Sequence, residues 1–211
     1  SEMCIRDRVK TGLRKLVQTY QLEVRLTANQ DLLLCNIGAP QKPAIKAALD
    51  ALGFELPGEP APLARHAMAC PALPTCGLAI TEAERALPAV LDRLDALLQR
   101  LEIDQPLLVR MTGCPNGCAR PYMAELGLVG SGVNQYQLWL GGTPNLQTLA
   151  RPFLQKMPLD QLESTLEPLL INWKQCGVRR SFGAHINRLG DQSVHQLLSL
   201  IHISEPTRRR G

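Results

Sequence analysis

The chain has 211 residues, of which 45% are hydrophobic and 20% are charged, and its formal net charge is +4. This length and apolar content are enough for one or two globular units, each with a buried core. No apolar run reaches the roughly 20 residues that a membrane-crossing helix needs, so we expect no contact with a membrane.

The two ends of the chain are expected to be foreign to the fold. Residues 1–7 and 198–205 can be encoded by one DNA element read on opposite strands, and this element resembles a sequencing-library adapter. We therefore predict that residues 1–8 and 198–211 are adapter-derived and lie outside the core of the fold. Five arginines and three acidic residues lie in these ends, so the remaining net charge falls to +2. A charge this small argues against nucleic acid as a partner.

Residues 9–56 predict a helix, two strands and a second helix. The apolar residues of the first helix recur at helical spacing: Leu13, Leu16, Val17 and Tyr20. An alternating run at 22–26 and an apolar run at 32–37, separated by the turn residues 29–31, predict two strands. Pro40 and Pro43 open the second helix. This unit resembles part of a ferredoxin-like α/β sandwich, whose sheet would need partners from elsewhere.

Residues 57–62, Pro-Gly-Glu-Pro-Ala-Pro, predict a linker, so a second domain is expected over residues 63–197. Thr81 and Glu84 have the spacing of a capping box before a leucine-rich helix, which Pro88 should kink. Strands are predicted at 107–110, 125–129 and 135–140, and a final helix at 159–173. The fold class is therefore α+β.

Four cysteines of the second domain form two local pairs braced by prolines. Cys70 and Cys76 have five residues between them, whereas Cys114 and Cys118 have three. Four thiolates are the usual ligands of an iron–sulfur cluster, and structural zinc is the alternative. Zinc ribbons commonly space each pair by about two to four residues, so the first pair favours iron and sulfur. The paired spacing, in a sequence without a recognisable signal peptide, favours metal chemistry over disulfides. It also predicts a reducing compartment.

The cysteine pairs stand within a longer pattern. Thr112-Gly113 precedes the second pair and Glu125-Leu-Gly-Leu128 follows it. The whole pattern resembles the signature of the sirohaem- and [4Fe–4S]-dependent sulfite and nitrite reductases. Further matching stretches cover nearly all of the native segment: 69–76, 78–85, 138–145 and 169–174. Within that family the sequence of residues 117–123 is most similar to that of the ferredoxin-dependent sulfite reductases of cyanobacteria and plastids. Nitrite reductases are the alternative.

The resemblance implies roles for individual residues. Cys70, Cys76, Cys114 and Cys118 would ligate the [4Fe–4S] cluster, and their sulfurs should lie close together even without it. Cys118 would also bridge the cluster iron to the sirohaem iron, which makes it the candidate catalytic residue. Asn116 either directs its amide toward the cofactors or serves only the turn. The implied fold is a partial ferredoxin-like α/β sandwich followed by the sirohaem and [4Fe–4S] α/β domain.

The resemblance also implies a reaction. It is the six-electron reduction of sulfite to sulfide in sulfur assimilation, with electrons passing from ferredoxin through the cluster to sirohaem. The expected location is the bacterial cytoplasm or the plastid stroma. Complete members of the family carry an additional amino-terminal half, so we expect this chain to be a fragment that is inactive alone. A different class, a non-catalytic iron–sulfur or zinc-binding module, remains the competing hypothesis.

Overall fold

The computed structural model describes residues 2–28, 32–54 and 63–199, with residues 2–7 described as backbone only. The chain divides into two compact units, Ser1–Pro60 and Ala61–Gly211. The predicted linker at 57–62 and the predicted turn at 29–31 lie outside the described residues. No helix in the described ranges is long and apolar enough to cross a membrane.

The first unit contains the predicted helix, two strands and second helix. Helix α1 spans Glu2–Tyr20, strand β1 Glu23–Leu26, strand β2 Leu32–Cys35 and helix α2 Lys42–Ala51. The two strands are antiparallel. Helix α1 thus begins among the residues predicted to be adapter-derived, and whether they are foreign remains a prediction.

The apolar core of the first unit is small. Its buried members are Leu16, Leu22, Ile45 and Leu49. The hairpin leaves apolar side chains uncovered, since Leu26 is 83% exposed and Leu33 is 50% exposed. A cavity of about 630 Å³ opens beside β2 and is lined mainly by apolar side chains of α2 and β2. The first unit therefore presents an apolar surface that a larger assembly would normally cover.

The second unit is built on a five-stranded sheet. Its strands are β3 (Met68–Ala69), β4 (Val109–Thr112), β5 (Leu126–Gly132), β6 (Gln135–Leu140) and β7 (Arg151–Pro158). They lie side by side in chain order. The first three strands are parallel and the last two are antiparallel to their neighbours. The parallel part is buried on both faces, as β4 and most of β5 show.

Within residues 63–199, four α-helices accompany this sheet: α3 (Leu87–Arg100), α4 (Leu162–Gln175), α5 (Phe182–Leu189) and α6 (Asp191–Ser199). The predicted leucine stripe of α3 is buried in the core of the unit. Arg93 of α3 pairs with Glu163 of α4 and also donates to the carbonyl of Leu159 at 2.9 Å. Apolar contacts and ion pairs thus hold these two helices together.

The start of α3 differs from the prediction. The capping box is wrong, because α3 begins at Leu87 after Ala86. The hydroxyl of Thr81 instead lies 3.2 Å from the hydroxyl of Tyr136 and accepts the N–H of Asn134. Pro88 lies in the first turn of the helix. A proline there removes only an N–H that has no helical partner, so the expected kink is also wrong.

The carboxyl-terminal part contains elements that were not predicted. Strand β7 precedes the predicted helix, and α5 and α6 follow it. Strand β7 was not predicted because Pro152 and Pro158 argue against a strand in the sequence. The structure tolerates them because β7 is an edge strand. Leu198, assigned to the adapter-derived end, lies in α6 and is buried in the core. Residues 200–211 lie outside the described residues.

Candidate functional site

The two cysteine pairs follow neighbouring parallel strands. Cys70 comes directly after β3, and Cys114 comes two residues after β4. The N–H of Cys70 donates to the carbonyl of Met111 at 3.2 Å, which extends the pairing of β3 with β4. Because parallel strands end at the same edge of a sheet, the two loops that carry the cysteines begin side by side.

Gly113 joins these two loops. Its N–H donates to the sulfur of Cys70 at 3.3 Å. Its carbonyl accepts the N–H groups of Ile80 at 2.8 Å and Thr81 at 3.2 Å. A Cβ atom on Gly113 would lie 2.6 Å from the carbonyl oxygen of Thr81 and from the methyl of Ala72. The loops approach so closely that only glycine fits at this position.

The first loop turns back between its two cysteines. The N–H of Cys76 donates to the carbonyl of Ala72 at 2.7 Å, and the peptide bond between Leu73 and Pro74 is cis. Cys70 is buried, whereas Cys76 is partly exposed. The loop therefore presents one thiol inside the fold and one near its surface.

The second loop is held by Tyr122. The phenol donates to the carbonyl of Pro115 at 2.6 Å, and its ring meets the ring of Trp139 edge-on at 4.5 Å. Gly117 has a φ of +67°, and a Cβ atom there would lie 2.6 Å from the Tyr122 ring. Cys114 is buried, but Cys118 is exposed. The turn thus directs one thiol inward and one outward.

Electrostatic effects connect three of the thiols. Burial raises the pKa of the Cys70 thiol, and the charges of Cys118 and Cys114 raise it further. The N–H groups of Gly113 and Ala72 act in the opposite direction. Burial and Cys114 also raise the pKa of Tyr122. Cys114 and Cys118 are therefore close enough to Cys70 for their charges to affect its thiol.

The predicted ligand set is brought together only in part. Cys70, Cys114 and Cys118 share one neighbourhood, and Cys76 lies in the loop of Cys70. Among residues 2–28, 32–54 and 63–199, no three His, Cys, Asp or Glu side chains already form a group that could hold a metal ion. Ligation by the four cysteines remains a prediction, as does the role of Asn116, which is exposed in the turn. Cys35 and Cys176, which were not assigned to the site, lie on β2 and after α4.

Glu125 is a buried polar residue to which the sequence assigned no role beyond its place in the motif. Its carboxylate, only 1% exposed, accepts the N–H of Leu108 at 2.9 Å and that of Gly183 at 3.0 Å. Burial raises the pKa of Glu125, although these N–H groups lower it. The carboxylate thus ties the segment before β4 to the start of α5. An acidic residue directly before an apolar strand is the sequence signal that could have revealed this role.

Comparisons with known proteins give the relationship of the chain. Residues 7–52 match the family described as the nitrite/sulfite reductase ferredoxin-like half domain. The chain is 47% identical over 190 residues to the sulfite reductase [ferredoxin] of Synechococcus elongatus, a match that covers 89% of this chain. It is 43% identical over 180 residues to the sulfite reductase [NADPH] hemoprotein beta-component of Acidithiobacillus ferrooxidans, covering 84% of this chain. The chain is similar to one part of each of these two sulfite reductases.

The structural comparison agrees with the sequence comparison. The solved structure of the Mycobacterium tuberculosis NirA protein matches 88% of this chain and 36% of its own, with a TM-score of 0.69 and 26% identity. The α+β fold class and the predicted resemblance are confirmed. The chain spans 30% and 32% of the length of the two relatives from Synechococcus and Acidithiobacillus.

Proposed function

We propose that this chain is one portion of a sirohaem- and [4Fe–4S]-dependent sulfite reductase that uses ferredoxin as its electron donor. The observation that carries the proposal is the meeting of Cys70 with the Cys114–Cys118 turn at one edge of the parallel strands. Sulfite is favoured over nitrite because the relatives at 47% and 43% identity are named sulfite reductases. Ferredoxin is favoured over NADPH because the more similar of these two relatives is named for ferredoxin.

The thiols present suit an iron–sulfur cluster. Cys70, Cys76, Cys114 and Cys118 would hold it, and the donor set is then entirely sulfur, as such clusters require. The N–H group that points at the Cys70 sulfur stabilises a thiolate, and hydrogen bonds of this kind tune cluster potentials. The cluster supplies one-electron transfer when it is bound.

The residues of this chain have different roles in the proposed site. Cys70 and Cys114 are buried, so they would form the inner side of the site. Tyr122 and Gly113 hold the backbone of the two loops. Cys118 is the exposed thiol of its pair, so it is the one that a second cofactor can reach. Cys118 would therefore hold sirohaem beside the cluster, and Asn116 in the same turn could offer an amide to either cofactor.

The remainder of the protein would complete the first unit. The exposed apolar hairpin and its adjoining cavity are surfaces that another half domain of a longer chain would cover. The relatives are about three times longer than the matched region, which leaves room for such a domain. The complete protein would act in the bacterial cytoplasm or the plastid stroma.

The cluster can be tested on this chain. Anaerobic reconstitution with iron and sulfide should load about four irons per chain and give the paramagnetic signal of a reduced [4Fe–4S] cluster. Cys118→Ser should lower iron loading, whereas Cys176→Ser, which alters another exposed cysteine, should leave it unchanged. Uptake of one zinc per chain without iron would contradict the proposal and support a zinc-binding module.

The activity needs a longer chain. This chain and one extended to the length of its relatives should be assayed side by side, with reduced methyl viologen as donor and sulfite or nitrite as substrate. We expect turnover only in the extended chain, faster with sulfite than with nitrite, and lost on Cys118→Ser. Equal turnover by the short chain would contradict the proposal that this chain is only one portion of the enzyme. Faster turnover of nitrite would contradict the proposal that sulfite is the substrate.

A further inference from the structure

A polar cavity lies where α4 ends and α5 begins. Its volume is about 370 Å³, and its lining includes Arg179, Arg180 and Arg188, together with Cys176 and His185. Among the described residues, no aspartate or glutamate lines it. Burial lowers the pKa of His185, and the charge of Arg188 lowers it further. A cleft lined by charge of one sign concentrates ions of the opposite sign, so this cavity attracts anions.

The three arginines of the cavity are not used elsewhere in the described part of the chain. Arg179, Arg180 and Arg188 form no ion pair there, since the ion pairs of the second unit use Arg85, Arg93, Arg100, Arg151 and Lys174. Basic side chains near the end of a helix often bond its last carbonyl groups. Here the backbone N–H groups of residues 176–178 already bond the carbonyls of residues 172–174. The guanidinium groups are thus available to a ligand.

The loop between α4 and α5 holds two of these arginines in place. Val178 has a φ of +47°, a left-handed backbone that a β-branched residue rarely adopts, so contacts around the turn must maintain it. The indole N–H of Trp173 donates to the carbonyl of Arg180 at 2.9 Å, and Ser181 caps α5. The backbone that carries Arg179 and Arg180 is therefore fixed in the absence of a ligand, which lowers the entropy cost of binding one.

The cavity and the cysteine loops lie at opposite edges of the sheet. Glu125 comes directly before β5, and its carboxylate bonds both Leu108, before β4, and Gly183, in the first turn of α5. Helix α5 therefore begins at the edge where β4 and β5 begin. The cysteine pairs instead follow the ends of β3 and β4. The length of the strands thus separates the cavity from the cysteine loops.

We propose that Arg179, Arg180 and Arg188 bind a small molecule that carries a diphosphate group, either free or attached to an organic group. Three guanidinium groups match a multiply charged anion, and the planar fork of each pairs with two phosphate oxygens. A water molecule takes about 30 Å³ in the liquid, so the cavity has room for about a dozen non-hydrogen atoms, more than one phosphate has. The proposal goes beyond the reductase function and does not depend on a cluster.

Alkylation of Cys176 reports whether the site is occupied, because this exposed thiol lines the cavity. In the reduced full chain, pyrophosphate should slow the reaction of Cys176 with iodoacetamide along a saturating curve, relative to chloride at equal ionic strength. Cys35, a partly exposed thiol of the first unit, is the internal control, and its rate should not change. Peptide mass spectrometry measures the two thiols separately in one sample.

Adenosine diphosphate carries the same diphosphate group and distinguishes the two sources of the ligand. A half-protecting concentration lower than that of pyrophosphate would show that an attached organic group also contacts the protein. A lower value for pyrophosphate would identify the free inorganic anion as the better ligand. Orthophosphate, with fewer oxygens and less charge, should need a higher concentration than the better of the two.

A double substitution, Arg179→Gln with Arg180→Gln, separates the site from general effects of charge. Both side chains are exposed, so the variant is expected to fold. It should raise the half-protecting concentration by about tenfold or more, because it removes two charged donors. Arg14→Gln with Lys15→Gln is the matched control, since it removes the same charge from exposed positions of α1. That control should leave the half-protecting concentration unchanged.

Arg188→Lys supplies an independent measurement, because it keeps the charge but removes the paired donors. It should raise the half-protecting concentration several-fold. The proposal is overturned if neither pyrophosphate nor adenosine diphosphate gives saturating protection of Cys176, or if Cys35 is protected to the same extent. It is equally overturned if the variant with glutamine at both 179 and 180 keeps the protection of the wild type.

Discussion

The two units of the chain differ in how completely they bury their apolar residues. In the first unit the hairpin strands are mostly exposed, and four of the residues that the structure describes form the buried core. In the second unit every residue of β4 is buried, and a large apolar cluster joins the sheet to its helices. Apolar burial is the main source of folding free energy, so the second unit has most of what stabilises it and the first unit does not.

This difference indicates which unit needs other parts of a protein to cover its apolar surface. The matched family of the first unit is itself described as a half domain. An apolar hairpin face is costly to expose, and natural proteins keep such a face only where something covers it. The second unit carries the cysteine loops on a buried sheet, so the candidate site can be positioned by this unit alone.

The largest expected effect tests the contrast directly. Leu126→Ala, at a fully buried position of β5, should lower the free energy of unfolding of the second unit by about 2–5 kcal/mol. Leu26→Ala, at a position 83% exposed on β1, should change stability by less than about 0.5 kcal/mol. Hydrogen exchange measured during urea unfolding resolves the two units. Equal losses of unfolding free energy in Leu126→Ala and Leu26→Ala would mean that the hairpin is covered within this chain.

A second prediction tests whether the second unit positions the two cysteine loops of the site. Gly113→Ala should destabilise this unit by about 1–3 kcal/mol, because its Cβ would overlap backbone and side-chain atoms of the first cysteine loop. It should also lower iron loading by separating the two loops. Gly77→Ala is the matched control next to Cys76, since a Cβ there meets nothing within 4 Å. An equal loss in both variants would argue against a specific role for Gly113.

Much of the fold follows from local sequence pattern. The helix–strand–strand–helix order of the first unit, the apolar stripe of α3 and strand β6 could all be predicted from periodicity. Strand β7 and helix α5 could not, because prolines mask the strand and α5 is only eight residues long. The start of α3 was misplaced because the Thr81 hydroxyl bonds residues more than 50 positions away, which no local pattern reveals.

The sequence nominates the cysteines of the candidate site, whose ligand role stays a prediction, but it does not reveal which residues support them. The spacing of the four cysteines was sufficient to nominate them, since ligand chemistry is local to each pair. The contact of Gly113 with Cys70, the support of the second turn by Tyr122 and the anchoring by Glu125 are tertiary. They depend on which strands become neighbours, and that is decided by the whole sheet.

A third prediction tests how the second unit fixes its sheet to α5. Glu125→Gln should destabilise this unit by about 1–3 kcal/mol at neutral pH, because an amide has only one oxygen to accept the two N–H groups. Burial raises the pKa of Glu125 in the folded state, so folding favours its protonated form. Its contribution to stability is therefore greatest below the unfolded pKa of about 4.3 and decreases as pH rises toward the folded value.

That pH dependence is measurable as the difference between wild type and Glu125→Gln. Urea unfolding from pH 4 to pH 8, followed by tryptophan fluorescence, reports the second unit because Trp139 and Trp173 both belong to it. The advantage of the wild type should shrink as pH rises through this window. An advantage that grows with pH would show that the N–H donors outweigh burial.

The smallest expected effect concerns the ion pair between α3 and α4. Arg93→Met should destabilise the second unit by less than about 1 kcal/mol, because both side chains are about one-third exposed. The hydrogen bond from Arg93 lowers the pKa of Glu163, so the pair's contribution is complete above about pH 4.3 and is lost as pH falls through the folded value. This sign is opposite to that of Glu125, and the same unfolding series measures both. A cost that persists unchanged in acid would assign the role of Arg93 to the carbonyl of Leu159 and to packing rather than to charge.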